Sequence, residues 1–333
     1  MIITRTPYRI SFFGGGSDYP AWFQKHGGAV LAATIDRYCH LTCRYLPPFF
    51  EHRFRVVYSV IEDRKEISEI QHPVVREALL GMGFQNGLEI HHDGDLPARS
   101  GIGSSSSFTV GLLHALRGLK GELVSRRELA TAAIEIEQKR LQENVGIQDQ
   151  ILAAYGGLRQ LEIPTTGEFS TQPLALGAHQ LDEFSSWLML FYTGIKRVAS
   201  DVAATYVHQL EKKSACLEQN RKNVSLGADL LALGRLADFA ALLHESWLAK
   251  KSLSTAVSSA EVDAIYDAAR NAGALGGKLL GAGGGGFMLL MVPPESQAAV
   301  RERLRRLIRV PFSFEKSGSQ IIHYEPEKIE EPV

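Results

Sequence analysis

An α+β fold is predicted by three features of the sequence. Strand-like and helix-like segments mix without strict alternation, which disfavours a doubly wound parallel sheet. The stretch Gly281-Ala282-Gly283-Gly284-Gly285-Gly286 has the glycine spacing of a dinucleotide fingerprint. It joins two strand-like runs, Lys278-Leu279-Leu280 and Phe287-Met288-Leu289-Leu290-Met291-Val292, instead of opening a helix, so it reads as a hairpin connection. A chain of 333 residues, 45% of them hydrophobic, is long enough for two domains of ordinary size. The boundary is expected near residue 180, giving units of 1–180 and 181–333.

The elements follow in order. Ile2 to about Gly16 alternates as a strand and ends in a glycine turn. Ala29 to Leu46 and Arg53 to Val60 are rich in β-branched and aromatic residues and are separated by Pro47-Pro48. A helix is expected over Pro73 to Met82, a strand over Gly87 to His92, and a helix over Phe108 to Leu119. Ser125-Arg126-Arg127-Glu128 is a capping box that starts a helix running to about Glu143, and Gln148 to Tyr155 is a short helix stopped by Gly156-Gly157. The second unit opens with a strand over Trp187 to Tyr192. Helices are expected near 198–220, 235–250 and 261–272, followed by the glycine hairpin at 276–292, a helix over Pro294 to Leu307 and two short strands that close the unit. Leucines, alanines and Trp247 at helical spacing in 198–250 read as core.

Composition excludes several classes. A net charge of −1 argues against a general nucleic-acid or membrane-surface role. No apolar run approaches the roughly 18 residues of a spanning helix, and the first residues have no secretory pattern, so a cytoplasmic location is expected. Cys39, Cys43 and Cys216 form no disulfide framework. His91 and His92 beside Asp93 and Asp95 lack a metal-ligand spacing and read as surface polar residues.

The stretch Pro97-Ala98-Arg99-Ser100-Gly101-Ile102-Gly103-Ser104-Ser105-Ser106-Ser107, followed at once by an apolar-periodic run, reads as a phosphate cradle. Small residues let backbone N–H groups close around an anion, hydroxyls add donors, and the helix points its positive end at the loop. A nucleoside triphosphate is the ligand this implies. A P-loop is excluded because no Gly-Lys-Ser/Thr ending occurs.

Together with that stretch, Arg5 to Pro20, which contains Gly14-Gly15-Gly16-Ser17-Asp18-Tyr19-Pro20, and Gly276 to Phe287 resemble the three motifs of the GHMP kinases, in order and across the whole chain. Within that family the Gly14–Pro20 signature and Gly146-Ile147-Gln148-Asp149-Gln150, followed by Ala153-Ala154-Tyr155-Gly156-Gly157, are most similar to the D-glycero-D-manno-heptose 7-phosphate kinases. The resemblance implies a ribosomal-S5-like N-terminal domain and a ferredoxin-like C-terminal domain with the active site between them. It also implies an enzyme that uses ATP and Mg2+ to phosphorylate the anomeric hydroxyl of a heptose 7-phosphate, giving the 1,7-bisphosphate. The partners implied are a small-molecule sugar phosphate and ATP, with neither nucleic acid nor membrane, and a homodimer is left open.

The same resemblance assigns residues to roles. Asp149 is the general base and Arg9 the cation paired with it. Gly101, Gly103, Ser104, Ser105 and Ser106 hold the nucleotide, and Ser105 with Glu137 holds the metal. Glu135, two positions from Glu137, faces elsewhere on a helix. Gly15, Gly16, Ser17 and Asp18 meet the sugar, and Gly283 to Gly285 close over phosphates and substrate. Galactokinases carry Glu-His where this chain has Gly15-Gly16, which argues against galactose. A substrate phosphate requires another basic residue, among Arg99, Lys139, Arg140, Lys196 and Arg197, with Arg197 preferred for its place after a strand end. Read locally, Asp149 is equally a helix N-cap or surface charge, Arg9 an exposed strand charge, and Gly14–Asp18 a tight turn. Three rival readings remain at this point: a fucose- or galactose-type kinase, a non-catalytic sugar- and nucleotide-binding regulator, and a diphosphomevalonate decarboxylase. The sugar-type signature disfavours the last.

Overall fold

The computed structural model describes residues 1–195, 202, 205 and 213–325. Its spine is an antiparallel pair, β1 (Ile2–Phe13) and β2 (Gly28–Tyr45), joined by the glycine turn and the short helix Pro20–His26. On the other edge of β2, Gly28–Ala33 pairs with β6 (Leu158–Ile163) and Cys39–Tyr45 with β5 (Leu88–Gly94). The sheet continues from β5 through a parallel β3 (Phe54–Val57) to β4 (Ile61–Arg64), while β7 (Ser170–Pro173) adds to β6. A second sheet runs β11-β8-β10-β9, with β8 Leu188–Tyr192, β9 Gly276–Leu279, β10 Phe287–Met291 and β11 Ile308–Val310, every pair antiparallel.

The first residues of β1 alternate in burial, as a strand with one covered face should, but from Thr6 to Phe13 both faces are buried. The helix Ser104–Leu119 covers one face. Thr4 Oγ1 donates to Gly111 O at 3.0 Å, Ser107 Oγ donates to Pro7 O at 2.9 Å, and a Cβ on Gly111 would stand 2.7 Å from Thr6 Oγ1. Aromatic rings from the C-terminal half cover the end of the strand. Phe12 meets Phe184 at 5.3 Å and Phe239 at 5.5 Å between centroids, and Phe13 meets Phe239 at 5.1 Å. Such pairs contribute about 0.5–1.5 kcal/mol each beyond burial, so the two halves are fastened where β1 leads into the glycine turn.

Most expected elements form within a few residues of their expected bounds, and the Ser125–Glu128 capping box is present. Three expectations are corrected. The serines belong to the helix, which begins at Ser104 and not at Phe108, with Gly103 as its left-handed N-cap at φ 73°. The helix after Ser125 is α-helical only over Arg126–Ile134 and becomes a π-helix over Glu135–Arg140, a distortion that favours functional positions. The last strand, β12 (Gln320–Tyr324), pairs with β1 in the first sheet, so it does not close the second unit. The helix expected near 198–220 lies largely outside the described residues; within them a helix spans Ser214–Ala232. The strands β4, β6 and β7 and the helices Pro20–His26 and Ala178–Ser186 were not anticipated. Among the described residues no helix is long and apolar enough to cross a membrane. All three cysteines are free thiols, with Cys39 and Cys43 buried in β2.

Candidate active site

A cavity of about 890 Å³ opens where the glycine turn, the serine-led helix and the C-terminal helices meet. At its centre Asp149, in the first turn of the helix Gln148–Tyr155, is held by Arg9 of β1 through a bidentate pair: Arg9 Nε donates to Oδ1 and Nη2 to Oδ2, both at 2.7 Å. The remaining guanidinium nitrogen donates to Gly101 O at 2.5 Å. The Arg9 side chain is 6% exposed and that of Asp149 23%, so the guanidinium is fixed from behind while the carboxylate stays open to the cavity. The local alternatives for both residues fall away, because the helix cap is Ile147 and Arg9 is buried.

Asp18 is fully buried at the foot of the glycine turn and accepts hydrogen bonds from Gly16 N at 3.0 Å, Gln148 N at 3.3 Å and Gln148 Nε2 at 3.1 Å. Burial and then the neighbouring Asp149 charge raise its pKa, and the backbone donors oppose them. A Cβ on Gly146 would lie 1.9 Å from Asp18 Oδ2, so that position admits only glycine. Asn220 clasps the turn from the helix Ser214–Ala232, accepting from Gly14 N at 3.2 Å and donating to Gly15 O at 2.9 Å. Gly15, Gly16 and Asp18 line the cavity. Ser17 does not: its hydroxyl is spent inside the turn on Gly14 O and Ala29 O, which corrects its assignment to the substrate.

The first-turn N–H groups of Ser104, Ser105 and Ser106 have no partner within their helix, as at every helix N-terminus, and they lie at the cavity wall with Gly101 and Gly103. Ser104 Oγ accepts from Arg99 N at 3.1 Å. Ser106, not Ser105, reaches the acidic residue: its hydroxyl donates to Glu137 Oε2 at 2.9 Å, whereas Ser105 is exposed. One residue turns a helix by about 100°, so only one of the two serines faces Glu137: Ser106 hydrogen-bonds it, while Ser105, expected beside Glu137 on the metal, lines the cavity without touching it. Glu137 is fully buried and Glu135 exposed, as their relative ranking required. Gln150 Nε2 also donates to Glu137 Oε2, at 2.5 Å, while Oε1 accepts no hydrogen bond. Burial pushes the Glu137 carboxyl up to about 7, partly offset by Thr109, Ser106 and Gln150.

An orphaned, buried carboxylate oxygen beside a hydroxyl and a helix N-terminus fits a hard cation that shares nucleotide phosphates. Among the described residues no three His, Cys, Asp or Glu side chains cluster as a metal cage, so that cation would rest on Glu137, Ser106 and the nucleotide's own oxygens. An aromatic wall stands nearby. His72 stacks on Phe108 at 4.6 Å, Tyr58 meets His72 edge-on at 4.9 Å, and His92 packs against Phe108, which corrects its reading as a surface residue. Burial drives His72 down to about 4, leaving the ring neutral.

The C-terminal glycine loop behaves differently from its expectation. Gly283 and Gly284 are buried against Val257, with Gly284 N donating to Val257 O at 2.9 Å; only Gly281 and Ala282 of the loop line the cavity. The assignment of Gly283 and Gly284 to the substrate is therefore corrected. Arg197 lies outside the described residues, as does Lys196. Lys139 and Arg140 are exposed and off the cavity, and Arg99 lines it. The reading from sequence missed Lys250 and Lys278, both in the cavity wall. A lysine inside the wholly buried strand Gly276–Leu279 was a usable signal; Lys250 beside Lys251 on a long helix carried none.

Residues 69–157 match the family model described as GHMP kinases N terminal domain, and residues 228–309 match GHMP kinases C terminal. The chain is 28% identical over 330 residues to the D-glycero-alpha-D-manno-heptose 7-phosphate kinase of Campylobacter jejuni, covering 95% of this chain and 97% of that one. It is 27% identical to the L-fucokinase/L-fucose-1-P guanylyltransferase of Bacteroides fragilis, covering 90% of this chain and 35% of that protein. The crystal structure of a D-glycero-D-manno-heptose 1-phosphate kinase from Bacteroides thetaiotaomicron superimposes with a TM-score of 0.78 at 25% identity, covering 96% and 98% of the two chains.

Proposed function

The chain belongs to the GHMP kinase family, as a sugar kinase of that family, and we propose that it phosphorylates the anomeric hydroxyl of D-glycero-D-manno-heptose 7-phosphate with ATP, giving the 1,7-bisphosphate. The observation that carries this reading is the Arg9–Asp149 pair, which faces the same cavity as the serine-led helix N-terminus and the buried Asp18. Whole-length similarity to a heptose 7-phosphate kinase and a heptose 1-phosphate kinase supports the substrate class.

Phosphoryl transfer requires positioning and charge neutralisation more than covalent help from the protein. The His72, Tyr58 and Phe108 wall takes the base, and the N–H groups of Ser104 to Ser106 take the triphosphate. Glu137 and Ser106 would hold magnesium, which would neutralise phosphate charge. Asp18 and Gln148 orient the sugar hydroxyls. Asp149 accepts the proton of the attacking anomeric hydroxyl, and Arg9 keeps both carboxylate oxygens fixed while it does so. Glycine at 15 and 16 leaves the sugar side without a bulky hexose-reading pair.

The test is ADP release with ATP and magnesium over heptose 7-phosphate, mannose 6-phosphate, mannose, fucose and galactose. Turnover is expected to favour the phosphorylated sugars, with heptose 7-phosphate first. Preference for fucose or galactose would replace the substrate, and sugar and ATP binding without any turnover would make the chain a sensor.

A further inference from the structure

Two lysines that the transfer step leaves unused sit in the cavity wall. Lys278 is 6% exposed, within a strand whose four residues are all buried, and Lys250 lies in the last turn of the helix Leu236–Lys251. Lys278 Nζ donates to Phe12 O at 2.8 Å; Lys250 Nζ donates to Leu279 O at 3.1 Å and Gly281 O at 2.5 Å. An ammonium carries three donors, so two on Lys278 and one on Lys250 remain for a ligand. Among the described residues neither lysine forms an ion pair, whereas Arg9 close by is matched by Asp149.

Carbonyl dipoles, with the Trp247 ring 5.8 Å from Lys250 Nζ, do not match the hydration a buried cation gives up, and crowding several cations adds to the cost. Both effects are visible here. Burial, then Arg9, push Lys278 down to about 7 against the pull of Asp18, and burial, then Lys278 and Arg9, hold Lys250 well below the ordinary lysine range. A bound dianion reverses both effects.

Two phosphate groups meet in this cavity, the transferred γ-phosphoryl and any ester on the acceptor. The γ-phosphoryl follows the nucleotide, whose wall and helix N-terminus come from N-terminal elements. Lys278 comes from the C-terminal half and is placed on the acceptor side by its bond to Phe12, two residues before the turn that carries Asp18, a turn that Asn220 also holds through Gly15; Lys250, anchored on Leu279 and Gly281 of the same strand and loop, is the cation beside it. We propose that Lys250 and Lys278 together receive the phosphate ester that the acceptor sugar already carries, making them the residues that select sugar phosphates over free sugars. This rests on the reading of the chain as a sugar-phosphate kinase.

Lys250→Met and Lys278→Met keep the length of the stem and remove the charge. For each, the quantity to measure is the ratio of kcat/KM on mannose 6-phosphate to kcat/KM on mannose, with KM for ATP beside it. The ratio is expected to fall about tenfold or more per lysine, because each removes a charge-assisted hydrogen bond, while KM for ATP stays within about twofold. An unchanged ratio accompanied by a higher KM for ATP or a lower kcat would mean that the cations serve the transferred group, and would overturn the proposal. Inorganic phosphate supplies a test on the unaltered protein: it is expected to compete with the sugar phosphate and not with ATP, and competition with ATP alone would contradict the assignment. A parent enzyme without preference for phosphorylated sugars overturns the substrate reading together with this proposal. A parent with that preference, kept by both lysine variants, overturns this proposal alone.

Discussion

Two glycine-bearing loops meet at the cavity, and they use glycine for opposite ends. In the loop before Ser104, Gly101 and Gly103 turn the chain so that a helix N-terminus faces open space. In the loop after Leu280 the glycines bring backbone against backbone. A Cβ on Gly286 would stand 2.0 Å from Ser100 O, on Gly285 2.3 Å from Ile195 O, and on Gly283 2.6 Å from Val257 O. The second loop is therefore the buttress of the first: Gly281 and Gly101 touch directly, with a Cβ on Gly281 placed 2.5 Å from Gly101 Cα. Glycine content alone does not mark a phosphate site. What separates the two loops is whether a helix or a strand follows.

The comparison can be broken at several points. The largest effect is expected at the open loop's catalytic neighbour: Asp149→Asn should lower kcat by about 10²–10⁴-fold, measured by ADP release on protein that calorimetry shows to be folded, with a lower melting temperature because Arg9 loses its counter-charge. At the buttress, Gly286→Ala combines a clash with φ of +99° and should destabilise the fold by about 1–3 kcal/mol in denaturant titration, with activity falling in proportion to the folded fraction. A stable, inactive Gly286→Ala would instead mean that the loop binds phosphate itself.

Glu137→Gln should abolish magnesium-dependent turnover yet raise the melting temperature of the nucleotide-free protein near pH 8. Its carboxyl has an ordinary pKa of 4.5 and a folded value of about 7. Protonation is thus favoured by folding, so the site is without penalty below about pH 4.5 and loses stability as pH rises from there through about 7. The melting advantage of Glu137→Gln should accordingly shrink as pH falls from 8 to 5, and a pH-independent advantage would contradict the buried-carboxyl account. The smallest contrast separates the two serines. Ser106→Ala should raise KM for Mg-ATP several-fold, about the loss of one hydrogen bond near charge, and Ser105→Ala should leave it nearly unchanged.

The legible parts of the chain were those set by short-range chemistry. The Ser125–Glu128 capping box, the Pro73 helix start and the Gly156 stop were all visible because each involves residues within one helical turn. The pairing of β12 with β1 was not, since it joins residues 2–5 to residues 320–324 and no local pattern encodes a partner so distant. Asp149 and Arg9 look ordinary in isolation, and only the family resemblance singled them out; their bidentate contact is a property of the folded chain. Ser106 was expected only as a phosphate donor, because the resemblance points to Ser105 beside Glu137, and which serine faces Glu137 is decided by the helix rotation in the folded chain. β7, Ser-Thr-Gln-Pro, carries too few apolar residues to announce a strand, and it forms because β6 offers it an open edge.

The account stands most directly on the position of the new phosphate, which 31P NMR of the product formed from heptose 7-phosphate and ATP reports. The expected result is a second sugar phosphorus coupled to the anomeric proton, formed by the parent and absent with Asp149→Asn. A new phosphorus coupled to any other ring proton, or ADP accumulating with no new sugar phosphate, would contradict it.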